Sequence, residues 1–106
     1  MGKGRIWFYR TSVFIGDGIK PRVNLDWKVV GSAIPGYFYV VEAPAGRHEI
    51  ETVTEWPQKT TIEVKTNEDS YVQLSAKPGI GFGHVAPVVV SEEEAVAKMK
   101  NLKSLR

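Results

Sequence analysis

The sequence predicts an antiparallel β-sandwich of six or seven strands with one C-terminal α-helix. Three observations predict it. Side chains alternate in polarity from residue 4 to about residue 76, turn residues interrupt that alternation at short intervals, and helical periodicity begins only after Ser91. The length of 106 residues fits one domain, 1–106, able to bury a core without a covalent staple.

The elements follow in order. In RIWFYR, Ile6 and Phe8 share one face and Trp7 and Tyr9 the other. Both faces are apolar, so the strand is covered on both sides or bordered by a loop. SVFIGDGIKPR carries Gly16, Asp17, Gly18 and Pro21 and reads as a loop. VNLDWKVV reads as one strand with Val23, Leu25, Trp27 and Val29 on its apolar face, which places Trp27 in the core. YFYVVEA and RHEIETVTE are the next two strands, joined by Pro44–Gly46. KTTIEVKT turns Ile62 and Val64 inward, and YVQLSA turns Val72 and Leu74 inward. KPGIGFGHVAP is a glycine-rich loop and VVV a short strand. Ser91 with Glu94 three residues later forms a capping box, so a helix is expected over about 92–104, with Ala95, Val96, Met99 and Leu102 on one face. Glutamates 92–94 at its start and Lys98, Lys100 and Lys103 toward its end suit the helix dipole. The apolar stripe is narrow, so the helix is expected on a sheet edge or across one open end.

Composition excludes several function classes. There is no cysteine, so disulfides and thiolate-rich zinc or iron–sulfur sites are ruled out. The net charge of +2 is too small to point to nucleic acid or an anionic membrane. Bases gather in residues 3–28 and seven acids in residues 42–69, a distribution that suits basic strands lying beside acidic ones. No apolar run approaches the ~20 residues of a membrane-spanning helix. No signal peptide precedes the first strand, so the chain is expected in the cytoplasm unless a leader has been removed.

The stretch EAPAGRHEIE holds one of two histidines. Pro44 suits position i+1 of a type I turn, and Gly46 the left-handed residue of a bulge, giving a three-residue hairpin loop. That register sets Glu42 opposite His48, Val40 opposite Ile50 and Phe38 opposite Thr52. His48 then points inward at the rim of the core beside Glu42, and Arg47, Glu49 and Glu51 point outward. A His48–Glu42 pair is half of a catalytic dyad, but no motif nearby supplies a nucleophile. The expectation is a hydrogen-bonded structural histidine, with a small hydrolase as the alternative.

GIGFG lacks both a helix opening at the loop and a following Lys-Ser/Thr, so no phosphate cradle is expected. His48 and His84 fit no metal spacing, and neither cofactor nor metal is expected. Trp7, Tyr9, Tyr37 and Tyr39 offer two arrangements. Exposed together, they make a patch for a sugar ring or a protein; covered by the helix, they make a second small core.

Residues 4 to about 90 resemble a bacterial family. The resemblance is carried by GRIWFYR, by VNLDWKVVG with its valine–glycine ending, by GYFYVVEAPAGRHEIE with its Pro-x-Gly-x-His hairpin, and by SYVQLSA. This pattern is similar to the domain of unknown function 2846 family, whose members are mostly lipoproteins or exported proteins, and to PEGA-type surface modules. The resemblance implies an all-β sandwich, a periplasmic or cell-envelope setting and no assigned catalytic residues. The chain departs from the lipoprotein members in having no lipobox cysteine. The function expected is a non-catalytic binding or structural module whose contact is a protein or an envelope polysaccharide. Edge strands allow pairing with a second chain, and the oligomeric state is left open.

Overall fold

A computed structural model of the chain describes residues 2–12, 18–77 and 83–105. The loop assignments for Gly16 and Asp17, and most of the glycine loop, lie outside the described residues.

Among the described residues nine strands form two sheets. They are β1 (Lys3–Arg10), β2 (Arg22–Leu25), β3 (Lys28–Ser32), β4 (Tyr37–Pro44), β5 (Gly46–Val53), β6 (Pro57–Val64), β7 (Asp69–Lys77), β8 (His84–Val90) and β9 (Lys103–Ser104), with α1 (Glu92–Met99) between the last two. The first sheet has the order β8-β7-β1-β4-β9 and the second β3-β2-β5-β6. Pairing is antiparallel except for β1 with β7 and β4 with β9, which are parallel. The all-β class, the two-layer form and the C-terminal helix agree with the sequence.

The core follows from period-2 alternation. Ile6 and Phe8 of β1, Val23 and Leu25 of β2, Ile50 of β5, Ile62 and Val64 of β6, and Val72 and Leu74 of β7 fill the space between the sheets. Tyr39 stacks on Phe8 in the same layer at a centroid distance of 5.3 Å. The Thr52 hydroxyl on β5 donates to the Val85 carbonyl on β8, tying the two sheets together through the core. The second apolar face of β1 is accounted for by a smaller cluster. Tyr9, Tyr71 and Ala95 are buried there, with Trp7, Phe38, Met99 and Leu102 packed around them.

Several expectations are corrected. Residues 23–30 are not one strand: a two-residue loop, Asp26–Trp27, folds β2 back on β3, with Leu25 opposite Lys28. This loop has no glycine to announce it, and its Trp27 is 74% exposed rather than core. The segment Pro44–Gly46 is not a hairpin. β4 is flanked by β1 and β9, and β5 by β2 and β6, so the turn is an arch that carries the chain from one sheet to the other. Gly46, at φ +133°, makes that arch, and the Ala45 amide donates to the Gly2 carbonyl to hold it. Because β4 aligns with β1, Tyr39 and Ala43 face the core, and Phe38 lies on the helix side.

The helix is shorter than expected. Ser91 caps it by accepting from the Glu94 amide at 3.2 Å, but it ends at Met99, and Lys103–Ser104 adds β9 to the sheet. It lies on the outer face of the first sheet over Tyr9 and Tyr71, not on an edge or an open end. Ala95 is buried in that contact and Val96 is exposed, so the apolar stripe is narrower still than read.

Candidate functional site

His48 does point inward from β5, as parity requires, but its partner is Asp26. Its Nδ1 lies 2.5 Å from Asp26 Oδ2, and its Nε2 lies 2.7 Å from the Pro44 carbonyl oxygen. Glu42 stands on the other sheet, exposed and opposite Arg5, so the His48–Glu42 pair does not form. A carbonyl oxygen only accepts and an ionised carboxylate only accepts, so both ring nitrogens must donate. His48 is therefore an imidazolium held between two acceptors. Burial pulls its pKa down, but the Asp26 carboxylate, the Pro44 carbonyl and the more distant Glu63 outweigh burial and raise it. Burial likewise pushes Asp26 up, and the bonds from His48 and the Glu49 amide carry it below the usual carboxylate range. While the ring is protonated on both nitrogens it has no lone pair for general-base work.

The same contacts build the Asp26–Trp27 loop. Asp26 Oδ1 accepts from the Glu49 amide at 2.9 Å, and the Asp26 amide donates to the Glu49 carbonyl at 2.9 Å. Asp26 and Trp27 have φ of 50° and 74°, the left-handed pattern of a type I′ loop. Asparagine or aspartate followed by glycine is the usual choice there. A tryptophan in that conformation costs about 1 kcal/mol or more relative to glycine. Asp26 offsets part of that cost by tying the loop to β5. The indole is thereby carried over the outer face of the second sheet, where Lys59 Nζ lies 5.0 Å from its ring centroid.

Among the described residues α1 packs on the other sheet, and Val29 and Val53 stand exposed on this face. Val29, Asn24, Glu51 and Lys59 form one line across its four strands. Asn24 Nδ2 donates to Glu51 Oε1 at 3.3 Å. Arg22, Asn24, Val29 and Val53 line a shallow depression of about 350 Å³ on the same face.

The four aromatics proposed as a patch are not one surface. Tyr9 is fully buried beneath the helix, where burial raises its hydroxyl pKa, and Tyr39 is buried in the main core. Trp7 is half-buried in the helix cluster, and Tyr37 is half-buried at the start of β4. Neighbouring strands in perfect register turn Trp7 and Tyr9 one way and Tyr37 and Tyr39 the other. The exposure of Trp27 is not legible in the sequence because nothing in NLDWKV other than the aspartate signals a turn.

His84 lies far along the chain in β8. Its Nε2 is 3.6 Å from Glu55 Oε1, and the Trp56 ring sits 4.1 Å away, centroid to centroid. Among the described residues no group of three or more His, Cys, Asp or Glu side chains could hold a metal ion. Of the basic–acidic neighbours expected from the charge distribution, Arg5 and Asp69 form a bidentate pair at 2.8 and 3.1 Å, directly across β1 and β7. This pair is exposed and contributes little stability. Among the described residues no helix is long and apolar enough to cross a membrane. No protein-family model matches the chain, and no curated protein matches it.

Proposed function

We propose that this chain is a non-catalytic recognition module of a bacterial cell envelope. The observation that carries the non-catalytic part is the state of His48, whose two ring nitrogens both donate within the fold, to Asp26 and to Pro44. Its neighbours serve the fold: the Glu49 backbone N–H donates a hydrogen bond to Asp26, and the Thr52 hydroxyl donates one to the Val85 carbonyl. The recognition part is supported by the open outer face of the second sheet and its exposed Trp27. The envelope setting is supported by the motif resemblance alone.

Hydrolysis of p-nitrophenyl acetate and p-nitrophenyl phosphate between pH 5 and 8 tests the first part. The rate is expected to stay at the buffer background and to be the same in His48→Gln. Saturable turnover that disappears in His48→Gln sinks the reading. Fractionation of the native cell, with an antibody to this chain, tests the setting. Recovery with the envelope fractions is expected, and recovery from the cytoplasm removes that part of the proposal.

A further inference from the structure

The geometry points to the outer face of the second sheet as a binding site for a neutral, hydroxyl-rich sugar chain, with Trp27 as its stacking platform. This rests on the reading of the protein as a recognition module and names the class of ligand.

Four observations carry it. The indole of Trp27 is 74% exposed, although it sits at a left-handed backbone position where glycine would fit without strain. The loop that presents it is held by Asp26 to both the side chain of His48 and the backbone of Glu49, so the platform is held in place before any ligand arrives. Beside it run Asn24, Glu51 and Lys59, in line across three adjacent strands, offering an amide, a carboxylate and an ammonium. Together these supply donors and acceptors for hydroxyl groups. Finally, the face is balanced in charge: Arg22, Arg47 and Lys59 oppose Glu49, Glu51 and Glu63, while Asp26 is matched by His48.

An anionic polymer or a basic peptide would meet as much repulsion as attraction on such a face. A pyranose ring presents a flat set of C–H groups that stack on an indole, with hydroxyls at its edge that reach the amide and the carboxylate. The line of Val29, Asn24, Glu51 and Lys59 crosses all four strands, and the depression lined by Arg22, Asn24, Val29 and Val53 adjoins it at Asn24, an extended surface that suits several consecutive sugar units. Lys59 Nζ lies over one face of the ring, 5.0 Å from its centroid, and with the residue 74% exposed the other face is left for the ligand.

The test uses the whole chain, labelled with ¹⁵N, and four neutral probes: cellohexaose, xylohexaose, mannohexaose and chitohexaose. The indole N–H resonance of Trp27 is assigned by its absence in Trp27→Gly. At least one hexaose is expected to shift that resonance saturably at millimolar concentration or below. Binding should weaken by about tenfold or more in Trp27→Gly and Trp27→Ala. It should weaken by a smaller factor in Asn24→Ala and Glu51→Gln. Trp27→Gly should keep the dispersed spectrum and melt no lower than the parent, because glycine relieves the left-handed strain.

The proposal is overturned if none of the four probes shifts Trp27, or if affinity is unchanged in Trp27→Gly. It is also overturned if Trp27→Gly unfolds, since the indole would then serve the fold. A protein partner captured through this face, lost in Trp27→Gly, with no response to the sugars, overturns the sugar assignment and leaves the recognition reading standing. Cleavage of a hexaose by the purified chain would do the reverse.

Discussion

Arg10→Ala is expected to destabilise the fold by about 3–5 kcal/mol, the largest effect of any substitution outside the apolar core. Arg10 ends β1 on the same face as Ile6 and Phe8, and it is 1% exposed. Its Nη1 donates to the carbonyls of Ile19 at 2.5 Å and Ala33 at 2.7 Å. Ile19 lies just before β2 and Ala33 just after β3, so one guanidinium ties both ends of the β2–β3 ribbon to the first sheet. Backbone bonds reinforce the junction: the Ala33 amide donates to the Pro21 carbonyl, and the Gly36 amide donates to the Arg10 carbonyl, each at 2.8 Å. Alanine would leave the buried Ala33 carbonyl and the part-buried Ile19 carbonyl without that donor, and a void where a long side chain had been. Urea denaturation monitored by tryptophan fluorescence reads the loss. Arg10→Lys, which keeps the charge but not the fork, should recover part of it. A change under 1 kcal/mol for Arg10→Ala would show that the junction is held by the backbone alone.

Asp26→Asn is expected to cost about 2 kcal/mol near pH 5.5 and distinctly less near pH 8.5. The figure is below that for a fully buried pair because the Asp26 side chain is 47% exposed and water screens it. The pH dependence has a definite sign. The folded-state pKa of His48 is raised, so its stabilisation is complete below about pH 6.5 and is lost as pH rises through the folded value. The folded-state pKa of Asp26 is lowered, so its stabilisation is complete above about pH 4 and is lost as pH falls through the folded value. The pair therefore contributes most between about pH 4 and 6.5. Melting curves across that range and up to pH 9 should show the parent losing stability above the window and Asp26→Asn responding less. Parallel profiles for the two proteins would mean that the pair is not ionic. Because the same carboxylate holds the Trp27 loop, the substitution should also broaden the indole resonance of Trp27.

Much of the fold was legible in the sequence. Strict alternation placed Ile62 and Val64, and Val72 and Leu74, inward and set Ile6 and Phe8 on one face of β1, and all six are core residues. The same parity pointed His48 inward, and extended by one step along β1 it would have placed Arg10 there too. Ser91 and Glu94 announced the helix start. The site was far less legible. A turn built from Asp-Trp has no glycine, and its left-handed backbone is held by a histidine 22 residues further along the chain. A tryptophan two residues from Leu25 and from Val29 therefore reads as core by alternation and is instead the most exposed large apolar side chain among those described.

The histidine in EAPAGRHEIE separates what each level decides. Which way a side chain points along a strand is a local matter, because successive residues alternate whatever lies beside them, and the sequence by itself determined that His48 faces in. Which strand lies beside it is not local. A Pro-x-Gly turn has much the same chemistry whether it closes a hairpin or carries the chain across a sandwich. The choice depends on how strands far apart in sequence compete for each edge. Here β1 and β9 take the edges of β4, and β2 and β6 take those of β5. Only the tertiary structure could therefore exchange Glu42 for Asp26, and a possible base for a buried cation that holds Trp27 in place.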